Sequence, residues 1–306
     1  MIVVTGGTGF VGAEILRRAS RRGWRVRGLA RHPERAEALG RLPHVELFRG
    51  DVSEPDELDE AMEDATAVVH LVGIVAPTKS QSFEDVHVRG TKNVLAAARR
   101  AGIRRYVHMS ALGVERGRDA TEYVRTKWAA EEAVRAAGLA HTIFRPSLVF
   151  GRDGELTRRL TLLLRWSPVV PLPGGGRQRF QPVWVGDVAE CFLQAARAES
   201  TPREQYEVGG PEVLTLAEMV RALARAMNAR RRVIVPVPMP LARAGAAVLE
   251  AVWPGAPPVS REQLTMLELG SEADPGQIAV LRSDFEIEHA RLEEKARDWA
   301  GSDSTK

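Results

Sequence analysis

Glycines that directly follow a short apolar segment near the start of the chain restrict its fold more than any other feature. Ile2-Val3-Val4 has the length and composition of a strand, and the glycines of Thr5-Gly6-Gly7-Thr8-Gly9-Phe10-Val11-Gly12 are spaced G-x-x-G-x-x-G before a helical segment. Glycine here permits a tight turn and lets backbone N–H groups approach a pyrophosphate, which the positive end of the helix dipole stabilises. The pattern favours a dinucleotide-binding turn, with residues 5–12 as candidate phosphate contacts, over an ordinary glycine-rich turn.

Strand-length apolar segments alternate with segments of helical spacing through the first half of the chain. Strands joined by helical crossovers run parallel, and both faces of their sheet are covered. The alternation therefore predicts an α/β fold built on a doubly wound parallel sheet. The predicted strands are Ile2–Val4, Arg25–Ala30, Val45–Phe48, Ala67–Leu71, Arg105–Met109 and His141–Phe144, and the clearest helices are Val11–Ala19 and Gly90–Ala101.

The second half of the chain is organised differently. After Phe150 the connectors are rich in glycine and proline, and helical segments dominate from Leu214 onward. We expect a nucleotide-binding domain over residues 1–150 with a return segment at 183–210, and a smaller, mostly helical substrate or partner region over 151–182 and 211–300. The proline-rich stretch Val235 to Pro258 is expected to be a mobile connector, and Gly301 to Lys306 a frayed tail.

Composition argues against several classes of protein. Lys plus Arg (43) nearly balances Asp plus Glu (40), so the chain lacks the charge footprint of a nucleic-acid-binding protein. A single cysteine, Cys191, argues against a disulfide framework and a multi-cysteine zinc site, and no metal site is expected. We expect no signal peptide, because Met1 to Thr5 runs directly into the glycine turn without a charged region followed by an apolar one. We also expect no membrane span, because the apolar stretch Leu241 to Trp253 falls short of the about 20 residues that a span needs. These features predict a cytoplasmic protein.

The ends of the second and third predicted strands indicate how the nucleotide is bound. An NAD site usually has Asp or Glu after the second strand to bind the ribose 2′-hydroxyl, whereas this chain has Leu29-Ala30-Arg31-His32-Pro33. A guanidinium suits a 2′-phosphate, so Arg31 favours NADP(H) over NAD(H), with an ordinary surface arginine as the alternative. Asp51-Val52 follows the third strand and is a candidate partner of the adenine amino group; alternatively, Asp51 marks the boundary of the next helix.

Tyr123 and Lys127 are one turn apart in a helical segment, so their side chains share a face. A phenol with a pKa near ~10 is a poor base, but an adjacent ammonium stabilises the phenolate and brings proton transfer within reach. Ser110 ends a predicted strand at the carboxyl edge of the sheet, where its hydroxyl is a candidate to polarise a carbonyl. The alternatives are an exposed helix pair and a serine that only bonds to nearby backbone.

With the glycine turn, Ser110 and Tyr123-x-x-x-Lys127 in this order, the chain resembles short-chain dehydrogenases/reductases of the extended or atypical type. It further resembles bacterial relatives of the nucleotide-binding accessory subunit of respiratory complex I, over roughly residues 1 to 295. The motifs that carry this second resemblance are Val107-His-Met-Ser-Ala-Leu-Gly113, Phe144-Arg-Pro-Ser-Leu-Val-Phe-Gly151, Leu172-Pro-Gly-Gly-Gly176, Phe180-Gln-Pro-Val-Trp-Val-Gly-Asp-Val-Ala189 and Tyr206-Glu-Val-Gly-Gly-Pro211.

The resemblance implies a Rossmann domain that carries NADP(H) and a smaller C-terminal region over the nicotinamide end. It places Leu71-Val72-Gly73 beside the adenosine ribose and Pro146-Ser147-Leu148-Val149 beside the nicotinamide. Many extended relatives have Asn where this chain has His87, a departure expected to alter the backbone water network that supports the tyrosine and the lysine.

Three functions fit these residues. In an oxidoreductase acting on a carbonyl or quinone-like substrate, Tyr123 moves the proton, Lys127 lowers its pKa and orients the ribose, and Ser110 holds the substrate oxygen. In a non-catalytic accessory or redox-sensing protein, the same pocket keeps NADP(H) while an apolar C-terminal surface docks a membrane-associated partner. A nucleotide-sugar epimerase or dehydratase is the third, with only Arg177 and Arg179 as a generic diphosphate clamp.

The substrate itself is unknown, and one segment bears on its polarity. Met239 to Trp253 has helical apolar spacing, which is more typical of a core-facing stripe than of a lipid or quinone groove. If the segment instead forms a groove, it suggests a hydrophobic ketone or quinone as the substrate.

Overall fold

The structure of the chain, a computed structural model, describes residues 1–78, 81–116, 120–201, 203–229, 232–253 and 259–303. It divides into two compact units. The first comprises Met1–Pro146, Gly186–Val208 and Pro275–Ile287, and the second comprises Ser147–Val185, Gly209–Asp274 and Glu288–Lys306, of which residues 304–306 lie outside the described part.

The described chain has thirteen strands. They are β1 (Ile2–Thr5), β2 (Val26–Ala30), β3 (Val45–Arg49), β4 (Ala67–His70), β5 (Arg105–Met109), β6 (Ala140–Pro146), β7 (Val149–Phe150), β8 (Val169–Pro173), β9 (Arg179–Phe180), β10 (Val183–Trp184), β11 (Gln205–Val208), β12 (Leu214–Thr215) and β13 (Val233–Val237).

Twelve α-helices accompany the strands over the same described residues. They are α1 (Phe10–Arg21), α2 (Glu37–Gly40), α3 (Leu58–Ala61), α4 (Gly90–Arg100), α5 (Glu122–Arg135), α6 (Glu155–Trp166), α7 (Val185–Arg197), α8 (Leu216–Ala226), α9 (Met239–Val252), α10 (Arg261–Leu269), α11 (Pro275–Asp284) and α12 (Leu292–Asp303).

The first unit is built on a seven-stranded sheet in the order β11-β6-β5-β4-β1-β2-β3. Every neighbouring pair in it is parallel. The strand order reverses between β1 and β4, which is the point where doubly wound sheets bind ligands at their carboxyl edge. The predicted fold class is thus confirmed.

Burial explains why the central strands read as continuous apolar runs. All four residues of β1 and all four of β4 are buried, as expected for strands with helices on both faces. One face packs on α4 and α5 through a cluster that includes Val94, Val134 and Ile143. The β1 and β4 ends are therefore held rigidly next to each other at the edge that carries the glycine turn.

The second unit has short strand pairs and a helical core. Strand β13 pairs parallel with β8, β10 with β7, and β12 antiparallel with β9. Its core cluster joins α6, α8 and α12 through side chains such as Leu160, Leu223 and Leu292. Within the described ranges, no helix has the length and apolar content required to cross a bilayer.

The structure differs from the sequence expectations at several boundaries. Residues 275–287 group with the first unit, although the sequence suggested that they belong to the smaller region. A six-residue π-helical turn, Glu84–Arg89, precedes α4 and was not predicted.

The stretch expected to be a mobile connector is regular where it is described. It contains β13 and α9, while residues 254–258 lie outside the described part. Only Ala246 of α9 is buried, so the expected core-facing stripe is wrong. The expected frayed tail is helical to Asp303, the end of α12.

Candidate functional site

The glycine turn joins β1 to α1, and three of its positions require glycine, either for the backbone angle or for close packing. Gly6 has a φ of +74°, which L side chains rarely adopt. A Cβ atom on Gly12 would lie 2.2 Å from the Gly6 carbonyl oxygen, and one on Gly7 would lie 2.7 Å from the Cα of Gly28. These glycines let the turn, helix α1 and strand β2 approach one another.

Gly9 is different, because its backbone has an ordinary φ of −72°. A Cβ there would meet only the Gly6 carbonyl oxygen, at 3.2 Å, within a 4 Å radius. Gly9 occupies the N-cap position of α1, where no side chain bonds to the free N–H groups, and the first turn of the helix has no acidic residue. The unpaired N–H groups of that turn therefore adjoin an open space suited to an anion, and the residues present fit a pyrophosphate.

The other side chains of the turn are mostly structural. Thr5 is fully buried, and its hydroxyl donates to Nδ1 of His70 at 2.6 Å. Val11 is buried at the start of α1, whereas Thr8 and Phe10 are half-exposed.

The segment Leu71-Val72-Gly73 lies against the glycine turn. A Cβ on Gly6 would be 3.3 Å from Cγ2 of Val72. A Cβ on Gly73 would be 3.1 Å from Nζ of Lys127. The structure therefore brings the glycine turn, the segment after β4 and the lysine of α5 together at one edge of the sheet.

Lys127 is buried, with 5% of its surface exposed, and its Nζ donates to the Met109 carbonyl at the end of β5, at 2.9 Å. Burial lowers the pKa of Lys127 to about 8, against the opposing effect of the Glu131 carboxylate. The ammonium is therefore charged at neutral pH.

Tyr123 lies one turn before Lys127 on α5 and is half-buried. Its ring packs edge-on against Phe83 and His87, at centroid distances of 5.9 and 5.4 Å. Burial raises the pKa of Tyr123 to about 12. This direction is opposite to the lowering expected from Lys127, because loss of hydration dominates while the ammonium bonds to Met109.

His87 ties the segment after β4 to helix α5. The Ile74 N–H donates to its Nε2 at 3.1 Å, so the ring proton is on Nδ1, which donates to the Thr126 hydroxyl at 2.9 Å. That hydroxyl in turn donates to the Glu122 carbonyl at 2.8 Å. Burial, followed by the charge of Lys127, lowers the pKa of His87 to about 2. A neutral imidazole thus makes direct bonds where the sequence suggested an altered water network.

A second histidine chain lies behind the turn. Thr91 donates to the His87 carbonyl at 2.6 Å and therefore accepts from Nε2 of His70 at 3.1 Å. Burial, then Lys127, lowers the pKa of His70 to about 3. Its ring stacks on that of His108, 5.4 Å away.

Ser110 directly follows Met109, whose carbonyl accepts from Lys127. Its hydroxyl is buried, forms no hydrogen bond among the described residues, and lies near enough to Glu131 to help lower the pKa of that carboxyl. Glu131 is about two turns beyond Tyr123 on α5. The backbone N–H of Ser110 donates to the Phe144 carbonyl at 2.8 Å. The alternative that the Ser110 hydroxyl bonds to nearby backbone is not observed either.

The residues expected at the adenosine end occupy mixed positions. Arg31 is exposed directly after β2 and has no hydrogen bond or ion pair within the described ranges. Asp51 lies in the turn after β3, and its carboxylate accepts from the Ser53 N–H at 2.9 Å. Val52 is buried in the core, and its carbonyl accepts from Asn93 at 2.9 Å.

The residues expected at the nicotinamide end fall on both sides of the unit boundary. Pro146 ends β6 in the first unit, and its carbonyl accepts from the Leu112 N–H at 2.9 Å. Ser147, Leu148 and Val149 belong to the second unit. There Ser147 donates to the Ser271 carbonyl at 2.6 Å, Leu148 accepts from Val183, and Val149 lies in β7.

Sequence reasoning missed a buried ion-pair group behind Lys127. Glu131 accepts hydrogen bonds from Nε of Arg145 at 2.8 Å and from Nη2 of the same residue at 2.7 Å. Nη2 of Arg135 donates a third bond at 2.6 Å. Burial would raise the pKa of Glu131, but the bonds and charge of Arg145 outweigh it and the pKa is lowered. The four-residue spacing from Lys127 to Glu131 was the signal available.

No group of His, Cys, Asp and Glu in the described chain is arranged to hold a metal ion. What the site offers is an anion-binding turn, a charged lysine and a protonated phenol at one sheet edge. This combination is typical of dinucleotide-binding proteins built on a doubly wound sheet. The chain belongs to the NAD-dependent epimerase/dehydratase family, whose model matches residues 2–209, and the predicted family resemblance is confirmed.

Two curated proteins show how this chain compares with its relatives. NADH dehydrogenase (ubiquinone) 1 alpha subcomplex subunit 9 of Arabidopsis thaliana mitochondria is 33% identical over 80% of this chain and 62% of the relative. The chain thus spans less than two thirds of that relative's length. Ceramide reductase of Caulobacter vibrioides is 30% identical over 76% of this chain and 73% of the relative.

Among solved structures, MoeE5 in complex with UDP-glucuronic acid and NAD superposes with a TM-score of 0.74 over 99% of both chains. The two sequences are 20% identical, so the likeness shows a shared fold.

Proposed function

We propose that this protein binds a nicotinamide dinucleotide, NADP(H) in preference to NAD(H), and transfers hydride between it and a carbonyl or quinone-like substrate. The observation that carries the proposal is the position of Lys127. Its Nζ lies close to Gly73, in the segment that packs against the glycine turn, and Tyr123 lies one turn away on the same helix.

The residues that would hold the nucleotide fit its groups. The open space at Gly9 and the first turn of α1 would take the pyrophosphate. Arg31, exposed and unpaired among the described residues, would take a 2′-phosphate. The bound nicotinamide would supply the hydride.

The side chains of α5 would handle the proton. Because burial raises the pKa of Tyr123 to about 12, its hydroxyl stays protonated at neutral pH. A protonated phenol is the form that gives a proton to a carbonyl oxygen during reduction. Lys127, with a pKa of about 8, is charged at the same pH and can bind ribose hydroxyls.

The relatives support the substrate class. The Caulobacter protein is named for reduction of a ceramide, which is a lipid, and this supports a hydrophobic carbonyl compound as substrate here.

The test is NADPH oxidation with a panel of ketones, quinones and sugar nucleotides. Tyr123→Phe keeps the ring that packs on Phe83 and should lose about 10²-fold or more of the activity while binding NADPH normally. Tyr106→Phe is the matched control, because its buried hydroxyl has no partner among the described residues and should be dispensable for turnover. Equal activity in Tyr123→Phe and the unmutated protein would contradict the proposal.

A second candidate is a non-catalytic accessory protein that keeps NADP(H) without turnover. The 33% identity to a complex I subunit favours it. On this alternative NADPH copurifies with the protein, no substrate of the panel is turned over, and the Met239 to Trp253 segment captures a membrane-associated protein partner. Those three results together would favour the accessory function over the enzymatic one.

A sugar-nucleotide epimerase or dehydratase has less support. Of the two arginines suggested as a clamp, Arg179 is bound to Glu272 at 2.9 Å. Only Arg177 remains without a partner in the described ranges.

A further inference from the structure

The outer face of the β8–β13 pair is apolar and exposed. The parallel register sets Val169 opposite Val233 and Pro171 opposite Val235. Alternate residues of a strand point to opposite faces, and the intervening Val170 is buried in the core of the second unit. Val233 is 58% exposed and Val169 is 40% exposed. The positions on this outer face are Val169, Pro171, Pro173, Val233, Val235 and Val237, and none of them is polar.

Helix α9 follows β13 and carries a second exposed apolar face. Leu241, Val248 and Val252 are 64%, 61% and 69% exposed, and their spacing puts them on one helix face. Gly245 lies on that face, and a Cβ there would meet nothing within 4 Å. An apolar helix face therefore stands open to solvent over its whole length.

Helix α6, which leads into β8, adds a third part. Leu162 and Trp166 are 44% and 80% exposed, and Arg158 precedes them at the same four-residue spacing. These three parts, the outer face of β8–β13, the exposed face of α9 and the Leu162/Trp166 stripe, are called the apolar surface below. Among the described residues, Val75 is the one large exposed apolar side chain that lies in the first unit.

The charge around the apolar surface is positive. Residues 155–177 and 232–253 contain six arginines and two glutamates. Both glutamates are paired, Glu155 with Arg159 and Glu250 with Arg261, and Arg243 is paired in turn with Glu268. Arg158 and Arg177 are exposed and have no ion pair in the described ranges. A Cβ on Gly175 would lie 3.8 Å from Arg177 and 3.6 Å from Pro236, so this guanidinium adjoins β13.

We propose that the apolar surface binds the face of an anionic lipid bilayer. Apolar side chains insert at the boundary between headgroups and acyl chains, tryptophan is favoured at that depth, and arginines at the rim attract anionic headgroups. A symmetric second copy suits the surface less well, because an isologous contact sets the rim of one copy, with its unpaired arginines, against the same rim of the other. The proposal is independent of hydride transfer.

Vesicle flotation with the full chain tests this. We expect binding to vesicles of phosphatidylglycerol and phosphatidylcholine, at least about ten-fold weaker binding to phosphatidylcholine alone, and release by salt. The triple variant Leu241→Ser/Val248→Ser/Val252→Ser should bind about 100-fold more weakly. Val75→Ser, at the exposed apolar residue of the first unit, is the matched control and should bind normally. Circular dichroism and a melting curve establish that each variant is folded.

Two further measurements keep the outcome decisive. Arg158→Gln/Arg177→Gln should weaken binding to the anionic vesicles about ten-fold and remove its salt dependence without touching the apolar face. Trp166→Phe should reduce the tryptophan quenching by brominated lipids, and Trp253, which is 49% exposed at the end of α9, should supply the rest. The proposal is overturned if the unmutated protein does not float with anionic vesicles, or if the folded triple variant floats equally well. It is also overturned if the triple variant converts a vesicle-indifferent dimer into a monomer, which would assign the surface to a second copy.

Discussion

Arg145 binds Glu131 through two hydrogen bonds of 2.8 and 2.7 Å, and both side chains are almost wholly buried. Glu131 lies one turn after Lys127 on α5, and Arg145 is next to the last residue of β6. The pair therefore joins the helix that carries the proposed proton donor to the strand that ends at the site. Its carboxylate is also the negative charge that opposes the loss of the Lys127 charge on burial.

Glu131→Gln should lower both stability and the pKa of Lys127. Removing one partner of a buried ion pair costs about 3–5 kcal/mol, because the other charge stays buried. Since Glu131 raises the pKa of Lys127, its loss moves that pKa below about 8 and shifts the alkaline limit of NADPH oxidation to lower pH. Urea unfolding and pH–rate profiles measure the two effects. Glu132→Gln, at the exposed neighbouring carboxylate, should change neither, and an unshifted profile in Glu131→Gln would refute the coupling.

Gly9→Val and Gly12→Ala should fail in different ways. A Cβ at Gly9 lies 3.2 Å from one backbone oxygen and has no other neighbour within 4 Å, so a small shift of the turn accommodates it, but the side chain fills the space proposed for the pyrophosphate. A Cβ at Gly12 lies 2.2 Å from a backbone oxygen and must displace the turn. Calorimetric titration with NADPH should show lost binding in Gly9→Val. Melting curves should show an unchanged melting temperature for Gly9→Val and a lower one for Gly12→Ala. Normal NADPH affinity in Gly9→Val would show that the turn holds no phosphate.

Arg31→Ala should reduce the preference for NADPH over NADH. A charge-assisted hydrogen bond contributes about 1.5–3 kcal/mol, so the affinity ratio should fall by roughly ten-fold or more. Fluorescence titration with both nucleotides measures the ratio. Arg41→Ala is a suitable control, because that exposed guanidinium is paired with Glu37 at 3.0 Å. If the unmutated protein binds both nucleotides equally, Arg31 does not select NADPH.

Stability should fall as the pH drops below about 6.5. Burial lowers the pKa of His70 to about 3 and of His87 to about 2, and it lowers the pKa of His108 well below 6.5. The unfolded chain takes up these protons below pH 6.5 while the folded chain stays neutral. Each histidine therefore costs about 1.4 kcal/mol of stability per pH unit.

His108→Phe isolates one of these protons. Both ring nitrogens of His108 are buried without partners among the described residues, and the ring stacks on His70. Phenylalanine keeps the stack and removes the unsatisfied groups, so neutral-pH stability should be retained or improved. Urea unfolding at a series of pH values should show a slope shallower by about one proton. A slope equal to that of the unmutated protein would mean that His108 is protonated in the fold.

Local sequence determined the parallel sheet, the glycine turn and the shared face of Tyr123 and Lys127. These depend on the spacing of apolar residues, on the φ values that glycine allows and on the helical repeat, all of which operate over a few residues. The predicted β5, Arg105–Met109, agrees with the structure at both ends.

Only the tertiary structure decided how the site residues behave. The sequence put Lys127 beside the phenol as a charge that lowers its pKa, but folding removes water from Tyr123 and directs the ammonium to Met109, so the pKa rises instead. The tertiary structure also places Ser110 near Glu131. It buries only one residue of α9, where the helical spacing had suggested a core stripe. Burial and pairing between residues distant in the chain set hydration and charge. A pattern read over a few neighbouring positions carries neither quantity.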